Sequence, residues 1–110
     1  MEENRTEILR GTLDMLILKT LSLAPMHGLG ISRRIEQITA GVFQVKPGSL
    51  FPALHRMEQE GWISGEWGES KNNRRAKFYD LTAAGKSRLG EEKQSWRHLV
   101  LTISKVLEAS

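Results

Sequence analysis

The sequence predicts a mainly α-helical fold with one small β-hairpin, of the α+β class. Three observations carry that expectation. Apolar residues recur at helical spacing in three segments before residue 61. The period then shortens to two over 63–67 and 77–81, around a Gly/Asn-rich connector. A last helical run reaches almost to the end of the chain.

The first helix is expected from about Thr6 to Leu23, where Leu9, Leu13, Leu16, Ile17 and Leu21 form a stripe. Met15 and Leu18 widen it, so this helix should be covered on more than one side. Pro25 stops it, because a residue before proline is pushed out of helical geometry. The second helix starts near Gly28 and shows Ile31, Ile35 and Ile38 before a stop at Gly41. The third opens at Pro47 or Gly48, since proline suits a first turn whose N–H has no partner. Leu50, Ala53, Leu54 and Met57 face inward there, Ser49, His55, Arg56 and Gln59 face outward, and Gly61 ends it. Ile63, Gly65 and Trp67 alternate with Ser64 and Glu66 in the first strand. Lys77, Tyr79 and Leu81 alternate with Phe78 and Asp80 in the second. The connector from Gly68 to Arg74 is too long for a tight turn, so its tip should project.

Thr82 is placed to N-cap the last helix, which runs to about Leu107. At about 1.5 Å per residue that helix is close to 40 Å long, more than a compact domain of this size spans. Its distal half carries Trp96, Leu99, Val100, Ile103, Val106 and Leu107 along one stripe. A protruding apolar stripe calls for a partner, and a two-fold homodimer is the commonest solution. The expected organisation is therefore a body over 1–81 and a dimerisation helix over 82–110.

The chain has 110 residues, 39% of them apolar and 26% charged, with a net charge of +3. One modest core follows, with little room for a deep pocket inside a single copy. The absence of cysteine excludes disulfides, thiolate chemistry and cysteine-based zinc sites. No apolar run approaches the roughly 18 residues of a membrane span. The polar, acidic start (Glu2, Glu3, Glu7) does not resemble a signal peptide, so a cytoplasmic protein is expected. Residues 71–77 hold four bases and no acid, whereas residues 1–30 hold four acids and three bases. The excess cations sit in the hairpin connector.

Three helices followed by a hairpin with a basic loop is the order of a winged helix-turn-helix, whose third helix suits a major groove and whose wing reaches the flanking backbone or minor groove. At that level the chain resembles the PadR-type transcriptional regulators. The resemblance lies in Gly11-Thr12-Leu13-Asp14-Met15-Leu16-Ile17-Leu18, Pro25-Met26-His27-Gly28 and Gly48-Ser49-Leu50-Phe51-Pro52-Ala53-Leu54-His55-Arg56-Met57-Glu58. It continues in Gly61-Trp62-Ile63, Trp67, Asn73-Arg74-Arg75-Ala76-Lys77-Phe78-Tyr79 and Leu81-Thr82-Ala83-Ala84-Gly85. These blocks cover nearly the whole chain in order, and they are most similar to an acidobacterial-like branch of the short subfamily. The resemblance implies a homodimeric DNA-binding repressor. Phe51 stands where the family usually has tyrosine, so a phenol contact to phosphate is absent at that position. Leu29 and Gly30 replace the tyrosine and glutamate often found there.

The candidate DNA-binding residues are Lys46, Ser49, His55 and Arg56 around the third helix, with Lys71, Asn73, Arg74, Arg75 and Lys77 in the wing. Trp62 and Trp67 read as core or hairpin packing. Trp96 reads first as dimer packing, and second as a wall of a site between subunits for a planar aromatic effector. His27, His55 and His98 lie on different elements without metal-ligand spacing, so no metal or other cofactor is expected; His27 reads as a turn residue. Glu58 and Glu60 sit two apart on different helix faces and make no catalytic pair, and no nucleotide-binding or nucleophile motif is present. The expected function is a sequence-specific, double-stranded-DNA-binding regulator and not an enzyme. Its main alternative is a winged-helix module that binds protein.

Overall fold

The computed structural model describes residues 2–69 and 74–110, with the side chains of 12–69 and 74–110. The elements are α1 (Glu2–Leu23), β1 (Met26–His27), α2 (Gly28–Ile38), α3 (Pro47–Gln59), β2 (Ile63–Glu69), β3 (Arg75–Leu81) and α4 (Ala83–Leu107). The wide apolar surface of α1 makes it the central element. Leu13, Ile17, Leu18 and Leu21 are buried, and the helix meets α2, α3, β3 and α4. Its buried Thr20 is satisfied within the helix, because Oγ1 donates to the Leu16 carbonyl at 2.7 Å. Ile31 and Ile35 of α2 and Leu50, Ala53, Leu54 and Met57 of α3 complete the core from the other side, with Ile63 and Tyr79 from the sheet.

A third strand appears where two were expected. The sheet is antiparallel in the order β1-β3-β2, with Met26 opposite Tyr79 and His27 opposite Phe78. A strand of two residues has no period to read, which is why the sequence pattern passed over it. His27 is a residue of this strand and also the N-cap of α2: its Nδ1 accepts the Gly30 N–H at 3.1 Å. The helix stop expected at Gly41 is built by two residues. Ala40 and Gly41 both take positive φ, 51° and 81°, and donate to the carbonyls of Gln37 and Glu36.

The end of α3 is tied to the start of α4. Gly61, at φ 79°, donates to Glu58, and Trp62 donates to Met57, a glycine-terminated cap that turns the chain into β2. Thr82 Oγ1 then donates to the Gly61 carbonyl at 2.6 Å and accepts the Gly85 N–H at 3.0 Å. The Thr82 N–H donates to the Trp62 carbonyl. α4 passes so close to this junction that a Cβ on Gly85 would strike the Trp62 carbonyl and the Leu81 side chain. Beyond Leu89 no residue of α4 is buried, and the molecule extends 59 Å along its longest axis. Among the described residues no helix is long and apolar enough to cross a membrane.

Two glycines of α4 should therefore respond with opposite signs. Gly85→Ala overpacks the junction and should lower stability in urea unfolding by about 1–3 kcal/mol. Gly90→Ala, with nothing near its Cβ position, should raise it by roughly 1 kcal/mol through helix propensity.

Candidate nucleic-acid interface

α3 begins with Lys46, an extended N-cap residue with no side-chain cap, followed by Pro47 at the first helical position. The Lys46 carbonyl accepts from Ser49 and Leu50. Proline carries no N–H, so the Gly48 N–H is the outward donor of this first turn. The helix faces divide as expected: its inner residues are buried, His55, Arg56 and Gln59 are exposed, and Ser49 is half-buried. Lys46, Ser49 and Arg56 line an open cleft of about 450 Å³ with Asp14 and Gln44, between α1 and the start of α3.

Two of the candidate cations already have acidic partners. Arg56 is held by α1: its guanidinium donates to both carboxylate oxygens of Asp14, at 2.7 and 2.6 Å. These hydrogen bonds push the Arg56 pKa up. Lys77 is held by α3, where its Nζ donates to Glu58 Oε1 at 2.8 Å. Its pKa is also raised, first by that hydrogen bond. The lysine stem lies over Gly65 and its ammonium stands 5.6 Å from the centre of the Tyr79 ring. Burial pushes the Tyr79 phenol up, against the opposing pull of Lys77. α3 is thus braced by one ion pair to the central helix and by another to the wing.

The other described wing cations are free of such pairing. Arg74 and Arg75 are exposed, and neither has an acidic partner among the described residues. Lys71 and Asn73 lie outside the described residues. Trp67 corrects the packing expectation, being 61% exposed, with the Arg75 guanidinium 5.2 Å from its ring centre. Period-two alternation puts Trp67 on the same sheet face as buried Ile63 and Tyr79, but the hairpin has by then run past the edge of the body. Trp62 does pack on the core, with Arg88 4.8 Å over its ring.

On α4, Trp96, Leu99, Val100, Ile103, Val106 and Leu107 are each 42–78% exposed. Leu101 is exposed too, off the stripe. Asp14 and Glu58 are the residues that reading by single elements missed. The signal for Asp14 was its being the one acid in the apolar stretch from Gly11 to Leu23; nothing in spacing tied it to Arg56, 42 positions away. Among the described residues no cluster of three His, Cys, Asp or Glu could hold a metal ion.

Residues 17–91 match the model of the transcriptional regulator PadR-like family. A protein of Lysinibacillus sphaericus is 30% identical over 104 residues, covering 94% of this chain and 95% of its own. A transcriptional regulator of Mycobacterium tuberculosis is 27% identical, covering 84% of this chain and 83% of its own. Among solved structures, a PadR family transcriptional regulator of Eggerthella lenta superposes with a TM-score of 0.85 at 27% identity, covering 99% of this chain and 93% of its own. A PadR-like regulator of Bacillus cereus gives 0.80 at 30% identity, covering 94% of this chain and 99% of its own.

The Asp14–Arg56 pair should show as a coupling in a double-mutant cycle. Asp14→Ala and Arg56→Ala, alone and together, should give an interaction of about 0.5–1 kcal/mol in urea unfolding, the range of a well-aligned pair with partly exposed partners. The Lys77–Glu58 pair has its own signature in pH. A raised lysine pKa stabilises the fold fully below the unfolded value of about 10.4 and is lost as pH rises through the folded value. Lys77→Met should remove that alkaline loss from a stability–pH profile.

Proposed function

Because the chain belongs to the PadR-like family of transcriptional regulators, which bind DNA and are not enzymes, we propose that it acts as a cytoplasmic homodimeric repressor of an inverted-repeat operator. In this reading 1–81 is the DNA-binding unit and 82–110 the dimerisation helix. α3 lies in the major groove, with Ser49 and His55 toward base edges and Lys46 near a phosphate. The wing follows the adjacent backbone with Arg74 and Arg75, and Lys71 and Asn73 extend the same basic run. Arg56 and Lys77 border this surface, and they reach DNA by exchanging an acid for a phosphate or base. The observation that supports the reading most is the joining of the exposed face of α3 to the basic wing through the Lys77–Glu58 pair.

The two copies pair through the stripe from Trp96 to Leu107. A surface of six large apolar residues open to water is otherwise costly. Trp96 heads that stripe, and its second reading is one wall of an intersubunit site for a planar aromatic effector. The alternative, a winged-helix module that binds protein and not DNA, makes the wing cations dispensable for binding its partner.

Salt dependence separates these readings. Arg74→Ala in a dimer should reduce the slope of log K against log salt by about 1.8, from roughly 0.9 per phosphate contact, on any duplex. Asp14→Asn should steepen it by up to the same amount, because it frees Arg56. Absence of duplex binding by the wild type would favour the protein-binding alternative, and unchanged slopes in both variants would remove Arg74 and Arg56 from the phosphate contact. Trp96→Ala should weaken dimerisation in sedimentation by about 3–5 kcal/mol, the cost of a buried aromatic. An intact dimer whose Trp96 fluorescence is quenched by planar dyes would instead favour the effector site.

A further inference from the structure

Among the described residues Trp67 is the most exposed Phe, Tyr or Trp of the winged body, ahead of Phe51. Its ring is 61% exposed, although an indole can bury about 150–250 Å². Its cross-strand partner is Lys77, and its diagonal neighbour toward the tip is Arg75. Lys77 lies on the same sheet face and reaches Glu58 of α3. The exposed indole therefore stands on the side of the wing that looks toward α3, not on the opposite side.

Its companion is equally distinctive. Arg56 is neutralised by Asp14 and Lys77 by Glu58. Arg75 makes no ion pair among the described residues, although Glu69 stands opposite it in the strand register, and its guanidinium rests on the Trp67 ring, 5.2 Å from its centre. A guanidinium held over an aromatic face keeps its full charge while losing rotamer freedom in advance. An exposed apolar plate carrying an unneutralised cation is complementary to a surface that is anionic and apolar together. The minor groove of duplex DNA is such a surface, with phosphates outside and deoxyribose carbons along its walls. Its narrow A·T-rich form draws arginine, and apolar side chains enter it readily.

We infer that Trp67 is a DNA-contacting residue of the wing, which presents Arg75 to the minor groove and packs its own open ring face on the deoxyribose wall. The inference rests on the DNA-binding reading above and adds a specificity determinant to it: a preference for A·T-rich sequence where the wing lands.

The test uses full-length protein with two 30-bp duplexes, one A·T-rich and one G·C-rich. Trp67→Ala and Trp67→Phe are made in the otherwise unchanged chain, and a single-tryptophan form carries Trp62→Phe and Trp96→Phe. Trp67→Ala should bind the A·T-rich duplex about tenfold more weakly, with a salt slope lowered by no more than Arg75→Ala lowers it. Trp67→Phe should recover part of that loss. Combining Trp67→Ala with Arg75→Ala should cost less than the two losses summed, since each acts through the other. Trp67 emission in the single-tryptophan form should become shielded from acrylamide when the duplex is added. Because the ring is exposed, its truncation leaves the core intact, so the binding data stand even if the single-tryptophan form does not fold. Wild-type binding with equal affinity in Trp67→Ala, or acrylamide access unchanged at saturating duplex, overturns this inference and leaves the DNA-binding reading in place. No binding of the wild type to either duplex overturns both.

Discussion

The hydroxyl of Thr82 does two things within one side chain. It donates to the last carbonyl of the α3 cap, at Gly61, and it accepts the N–H of Gly85 at the start of α4. The position of the wing depends on that contact. The hairpin leaves the body at Trp62 and returns to it at Thr82, so closing these two points fixes where β2 and β3 project. The closure works only because Gly85 has no Cβ to hold the Trp62 carbonyl away. The same junction aims α4 out of the body. One knot of hydrogen bonds thus sets the angles between α3, the wing and α4.

The electrostatics of the face shared by α3 and the wing are built on that frame. A count of bases credits α3 and the described wing with four cations, at Arg56, Arg74, Arg75 and Lys77. Geometry divides them into two braces and two free charges. Arg56 and Lys77 spend their charge on Asp14 and Glu58, holding α3 between the central helix and the sheet. Arg74 and Arg75 keep theirs. A protein with a net charge of only +3 can therefore offer a localised positive edge without a strongly basic surface.

Much of this was legible in the sequence because the signals are local. Leu50, Leu54 and Met57 announce the buried side of α3, Gly61 announces its end, and Thr82 announces the next helix. The alternation around Tyr79 announces the hairpin. What was not legible depends on distance or on edges. Two residues of β1 carry no period, and a bidentate contact spanning 42 positions leaves no mark in spacing. Alternation assigned Trp67 to the inward face correctly. It could not say that the hairpin outruns the body there, so packing was expected where the ring lies open. The exposed stripe of α4 was legible as a stripe. Its exposure on a single copy follows from the length of the helix relative to the core, which only Leu89 and residues before it reach.

In the proposed function α3 and the wing form one reading unit, and α4 doubles it. Selection of bound duplexes from a random-sequence pool tests both parts at once. The account predicts an inverted-repeat consensus with half-sites centred about 10 bp or a multiple apart, each flanked by an A·T-rich segment at the wing. Recovery of asymmetric or directly repeated sites, or no enrichment over the starting pool, would contradict it.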